Sequence, residues 1–109
     1  MVYIVHRVYT TIPHPAVKKF FETLSDEQRA LVRRSTDVIA KFGARIGFPD
    51  MRRLGNNLYE FRITGKTHIR ILYTVVGENA YLLHAFMKKS QKLRQKDIYT
   101  ARIRLKSIV

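Results

Sequence analysis

Leu58-Tyr-Glu-Phe-Arg-Ile63, His68-Ile-Arg-Ile-Leu-Tyr-Thr-Val75 and Tyr81-Leu-Leu-His-Ala-Phe-Met-Lys88 are three consecutive runs that alternate at strand period. Their odd-numbered positions are Tyr59, Phe61, Ile63, Ile69, Ile71, Tyr73, Val75, Tyr81, Leu83, Ala85 and Met87, all able to sit in a core. The even-numbered positions include Glu60, Arg62, His68, Arg70, Thr74, His84 and Lys88. Successive side chains on a strand point to opposite faces, so this pattern predicts a sheet with one oily face and one cationic, proton-exchanging face.

The turns decide whether the polar residues meet. A three-residue loop at Gly65-Lys66-Thr67 pairs Thr64 with His68 and sets Arg62 opposite Arg70. A two-residue loop would set Arg62 opposite Ile69 and mix the faces, so the hydrophobic pattern selects the longer loop. The same reasoning at Gly77-Glu78-Asn79 pairs Val76 with Ala80 and sets Arg70 opposite Phe86, with His84 and Lys88 on the diagonals. Diagonal neighbours lie roughly 7–8 Å apart, within reach of one phosphate for long side chains. Two arginines directly opposed repel, and either a bound anion or Glu60 must compensate them.

Outward from the sheet, Val2 to Tyr9 is β-branched and aromatic enough for a first strand, which Pro13 and Pro15 end as they open a helix near residue 14. Val17, Phe20, Phe21 and Leu24 share one face of that helix. Ser25-Asp-Glu-Gln28 has the spacing of a capping box and starts a second helix, with Leu31, Val38, Ile39 and Phe42 as its stripe and Gly43 or Gly47 as its end. Met51-Arg52-Arg53-Leu54 is a brief basic strand or turn, and Ile98, Ala101, Leu105 and Ile108 form the stripe of a last helix. The predicted order is β-α-α-β-β-β-α: one α+β domain over 1–109, an antiparallel sheet with helices packed on one face.

Composition narrows the partners. The chain has 109 residues, 46% hydrophobic content and no cysteine, which suits a globular protein without disulfides or thiolate metal sites. No signal-peptide pattern opens it and no apolar run approaches the roughly 20 residues of a membrane span, so a cytoplasmic protein is expected. Net charge is +13, and residues 51–109 hold thirteen Lys/Arg against the three acids Glu60, Glu78 and Asp97. Such a surplus exceeds what solubility needs and points to a polyanion, with nucleic acid first and an acidic protein as companion.

Leu54-Gly-Asn-Asn-Leu-Tyr-Glu-Phe-Arg62, Ile69-Arg-Ile-Leu-Tyr73 and Leu83-His-Ala-Phe-Met-Lys-Lys89-Ser-Gln resemble, in order and spacing, the phage-derived HigB-like branch of the RelE/ParE toxin superfamily. The resemblance extends to the helix pair before them and to Ala101-Arg102, covering nearly the whole chain. It implies a RelE-like fold and the toxin of a type II toxin–antitoxin pair. RelE- and HigB-type members enter the ribosomal A site and cut mRNA, usually without a metal ion or other cofactor. The implied partners are the ribosome, mRNA and an antitoxin that often carries a helix-turn-helix. ParE-type members on the same fold inhibit DNA gyrase instead, and a non-catalytic basic nucleic-acid-binding module is a third reading. Fold does not choose among these.

The resemblance matches Arg70 to the arginine that contacts the scissile phosphate, and Glu60 and Arg62 to the strand that carries catalytic lysines in RelE. It places Lys88 and Lys89 where RelE has a basic pair, with His84 close to a catalytic histidine of HigB- and YoeB-type members. Metal-free RNA cleavage needs a base for the ribose 2′-OH, cations for the phosphate and an acid for the 5′-oxygen. Glu60, His68 and His84 are the proton-transfer candidates, while Arg62, Arg70 and Lys88 are the phosphate binders. The expected catalytic set is Glu60, Arg62, Arg70, His84 and Lys88. Lys66, His68, Phe86, Lys89, Lys92, Arg94 and Lys96 are expected to bind RNA, with Phe86 either stacking a base or capping an apolar patch. Tyr73 belongs to the core and Tyr99 reads as an anchor. No metal-ligand spacing appears.

Overall fold

Ser25 and His14 start the two helices of the first half. The structure, a computed structural model, describes residues 8–63, 65, 68–89 and 94–108. Strand β1 (Thr10–Pro13) leads into helix α1 (Pro15–Glu22), whose N-cap His14 accepts a hydrogen bond from the Ala16 N–H through Nδ1 at 3.0 Å. Of the expected first strand, Val2 to Tyr9, residues 2–7 lie outside the described residues; Val8 and Tyr9 are not in a strand, and β1 lies just after them. Helix α2 (Asp26–Phe42) has the full capping box, with Gln28 N–H donating to Ser25 Oγ and Ser25 N–H donating to Gln28 Oε1. It ends at Gly43, whose φ of 56° suits glycine, and any Cβ there would meet the Tyr9 ring at 2.5 Å.

Strands β2 (Met51–Gly55), β3 (Leu58–Arg62), β4 (Ile69–Val76) and β5 (Asn79–Met87) follow, and then helix α3 (Gln95–Lys106). They form one sheet in the order β1-β5-β4-β3-β2, antiparallel except for the parallel pairing of β1 with β5. The architecture is therefore the expected α+β order with a five-stranded, mostly antiparallel sheet.

Two apolar clusters flank the sheet. Val17, Leu24, Val32 and Ile39 of the first half pack with Tyr59, Phe61, Ile69, Ile71 and Tyr73. On the opposite face Leu58, Leu72, Leu83 and Phe86 pack with Ala101 and Leu105 of α3, and Ile98 and Ile108 complete the predicted stripe. The helices thus do not all lie on one face, as the sequence pattern suggested. Leucines and a phenylalanine among the cationic positions form a strip that water would otherwise wet, and α3 covers it.

The last hairpin differs from expectation in an instructive way. Val76 pairs with Asn79, which leaves the two-residue turn Gly77–Glu78, with Gly77 at φ 59°. That register alone would reverse the faces of β5. A bulge corrects it: Leu72 pairs with His84 and Tyr73 with Leu82, so Leu83 is the extra residue. Before the bulge the even positions Ala80 and Leu82 join the α1/α2 core; after it Ala85 does. Tyr81 and Leu83, expected in that core, belong instead to the α3 cluster. Arg70 still faces Phe86, as anticipated.

Candidate functional site

Cross-strand pairing lays the polar residues out in rows. Arg52, Glu60, Leu72 and His84 are successive partners across β2, β3, β4 and β5, and Arg62, Arg70 and Phe86 form the next row. The Lys88 N–H donates to the His68 carbonyl at 2.8 Å, extending the ladder one step past Met87. Glu60, Arg62, Arg70, His84 and Lys88 consequently share one face of the sheet, the face on which α3 packs. The predicted opposition of Arg62 and Arg70 is present.

The centre of this face is not open to solvent. Glu60 is 0% exposed and Arg70 5%. Glu60 Oε1 accepts from Arg52 Nε at 3.0 Å and lies 3.0 Å from Arg52 Nη2, while Oε2 lies 3.7 Å from Arg70 Nε. Arg70 Nη1 donates to the carbonyls of Ile69 at 3.1 Å and Ile63 at 3.3 Å. Burial holds the Arg70 guanidinium below arginine's ordinary range; Glu60 opposes that shift, and Arg62 and Arg52 add to it. Glu60 was expected among the proton-transfer groups. It is buried between the Arg52 and Arg70 guanidiniums, where its charge offsets that of Arg70.

His84 is held by helix α3, which packs on this same face. Its Nε2 lies 2.8 Å from Asp97 Oδ1, so Nε2–H donates to that carboxylate. Arg94 Nε donates to Asp97 Oδ2 at 3.1 Å. Asp97 is only 2% exposed, at the first turn of α3, where a carboxylate also complements the helix dipole. The imidazole stacks on Phe86 with centroids 5.1 Å apart and an interplanar angle of 27°. Clamped between a carboxylate and a ring, His84 turns its Nδ1 away from the clamp.

Residues 19–106 match the model of the family described as Phage derived protein Gp49-like (DUF891). The chain belongs to this Gp49-like family. No curated protein matches the chain significantly.

The remaining predicted residues of this Gp49-like chain fall into three groups. Arg62 and Lys88 are half-buried at the rim of the Glu60–Arg70 pair. Burial, and then the Arg70 guanidinium, hold the Lys88 ammonium below lysine's ordinary range; Glu60 pulls the other way, and Arg52 and Arg62 reinforce the lowering. His68, Lys89, Arg94 and Lys96 are exposed around the same end of the sheet, with Arg94 tied to Asp97. Lys66 and Lys92 lie outside the described residues.

Phe86 is 8% exposed and packs in the α3 cluster, so it caps an apolar patch and its ring meets His84, not an incoming base. Tyr73 is core, its hydroxyl donating to the Gly43 carbonyl at 2.8 Å. Tyr99, expected as an anchor, is exposed. Two residues of the site, Asp97 and Arg52, escaped the sequence reading. Their signal was charge: Asp97 and Glu60 are two of only three acids in a strongly basic half, and each is buried against cations. Among the described residues no group of three or more His, Cys, Asp or Glu could hold a metal ion, and no helix is long and apolar enough to cross a membrane.

Proposed function

We propose that the chain is the toxin of a type II toxin–antitoxin pair and cuts mRNA on the ribosome by internal transphosphorylation. The observation that carries this reading is the meeting, on one sheet face, of an oriented imidazole at His84 with the cations Arg62, Arg70 and Lys88. Gp49-like family membership and the resemblance to HigB-like toxins support it.

In this reaction the substrate carries its own nucleophile. The ribose 2′-oxygen attacks the adjacent phosphorus, the bond to the 5′-oxygen breaks, and a 2′,3′-cyclic phosphate remains. Glu60 is too deeply buried to take the 2′-OH proton. Lys88, with its ammonium held low by burial and Arg70, takes it as the neutral amine, and His84 delivers a proton to the departing 5′-oxygen. Groups of this kind contribute roughly 10²–10⁴-fold each. Arg62 binds the phosphate directly, and Arg70 supplies positive charge from beneath, where low dielectric magnifies its effect. His68, Lys89 and Lys96 hold the RNA backbone outside the site. An antitoxin with an acidic surface would neutralise the same face.

Primer extension on mRNA from cells expressing the chain tests the reading. Discrete cleavage sites are expected with the natural sequence and none with Arg70→Ala. Growth arrest without cleavage, accompanied by loss of plasmid supercoiling, would replace it with gyrase inhibition.

A further inference from the structure

At the β2 edge of the sheet, beyond Arg52, lies a concavity of about 390 Å³. Arg45, Arg52, Arg53, Met51 and Phe48 contribute to its walls, and no acidic residue does. Phe48 is 78% exposed, the most exposed of the large apolar side chains among the described residues. Arg53 is fixed in place, donating to the Ala44 carbonyl at 3.2 Å with its guanidinium 5.3 Å from the Tyr59 ring centroid. Arg52 is shared: it lines this pocket and also grips Glu60.

We infer that this pocket is a nucleotide subsite, in which Phe48 stacks a base and Arg45 and Arg53 bind the flanking phosphates of a single RNA strand. The inference rests on the nuclease reading and extends it to a position outside the cleaved bond. An exposed aromatic beside fixed guanidiniums is the combination that binds single-stranded nucleic acid, since every base offers a π-face and every linkage a phosphate. Arg52 makes the subsite continuous with the reacting centre. A phosphate drawn toward Arg52 competes with Glu60 for its guanidinium, and Glu60 in turn sits against Arg70. The same chemistry fits either the strand being cut or ribosomal RNA.

The chain has no tryptophan, so Phe48→Trp places a single reporter in the pocket. A short RNA oligonucleotide, 2′-O-methylated to prevent cleavage and added at low salt, is expected to quench its emission. Phe48→Ala is expected to weaken binding of the labelled oligonucleotide about tenfold in anisotropy, and the exposure of Phe48 keeps either variant folded. Repeating the quenching with ribosomes separates the sources. Quenching by ribosomes lacking mRNA assigns the base to ribosomal RNA; quenching only when mRNA fills the A site assigns it to the substrate strand, and either keeps the subsite. No quenching in any arm, or oligonucleotide binding indifferent to Phe48→Ala, overturns it, even if wild-type protein still cuts mRNA. Quenching in a protein that cuts no mRNA would instead overturn the nuclease reading and keep the subsite.

Discussion

Glu60 Oε2 and Arg70 Nε face each other at 3.7 Å, both buried and both without a hydrogen-bond partner among the described residues. The pair is thus held by charge and not by a formed hydrogen bond, at a depth where an uncompensated ion is severely destabilising. This arrangement makes Arg70 dependent on Glu60. Removing the carboxylate in Glu60→Ala leaves a buried guanidinium alone and is expected to cost about 3–5 kcal/mol in urea unfolding. Replacing both partners, Glu60→Leu with Arg70→Met, should recover most of that stability while abolishing mRNA cleavage. A double variant as unstable as Glu60→Ala would show that the pair is not what couples them.

Asp97 acts through His84. His84→Ala is expected to lower single-turnover cleavage by roughly 10²–10⁴-fold, the range for a lost general acid. Asp97→Asn keeps the shape of the clamp but loses the charge and is expected to lose roughly tenfold to a hundredfold, a positioning effect. Asp97→Asn in a His84→Ala background should then lose little more. Additive losses in that cycle would assign Asp97 to α3 docking alone.

Lys88 links stability and activity to pH with a definite sign. Its folded value lies below that of a free lysine, so between the two values the unfolded chain binds more protons. Stability withheld at lower pH is therefore regained as pH rises through the folded value. Lys88→Met is expected to be more stable than wild type near neutral pH, the difference shrinking as pH climbs through that window. Cleavage should rise with pH over the same window as the neutral amine forms, and Lys88→Arg should flatten the profile.

Tyr73 ties the sheet to the end of α2. Losing its hydroxyl in Tyr73→Phe leaves the Gly43 carbonyl without this bond and is expected to cost about 1–3 kcal/mol in urea unfolding, with cleavage by the folded protein unchanged.

Much of this was legible in the order of residues because alternation between β3 and β4 is unambiguous. Only one register keeps Arg62 and Arg70 off the oily face. The β5 bulge was not legible, since Tyr81-Leu82-Leu83 offers an apolar side chain to the core in either register. The side taken by α3 was hidden for a related reason: Leu58, Leu72 and Phe86 look incidental among arginines and histidines until pairing gathers them into one strip. Burial at the site was harder still. Parity places Glu60 and Arg70 on a face, but only packing decides that Arg52 seals one and backbone carbonyls hold the other. The partnership of His84 with Asp97 joins residues thirteen positions apart through a helix that docks by apolar contacts, which no spacing rule anticipates.

The most direct test is end-group analysis of RNA cut by purified protein on ribosomes programmed with a defined A-site codon. A 2′,3′-cyclic phosphate on the upstream fragment is predicted, together with complete protection when the A-site nucleotide at the cleaved bond carries a 2′-deoxyribose. A 5′-phosphate on the downstream fragment, or undiminished cutting of the deoxy substrate, would contradict the account.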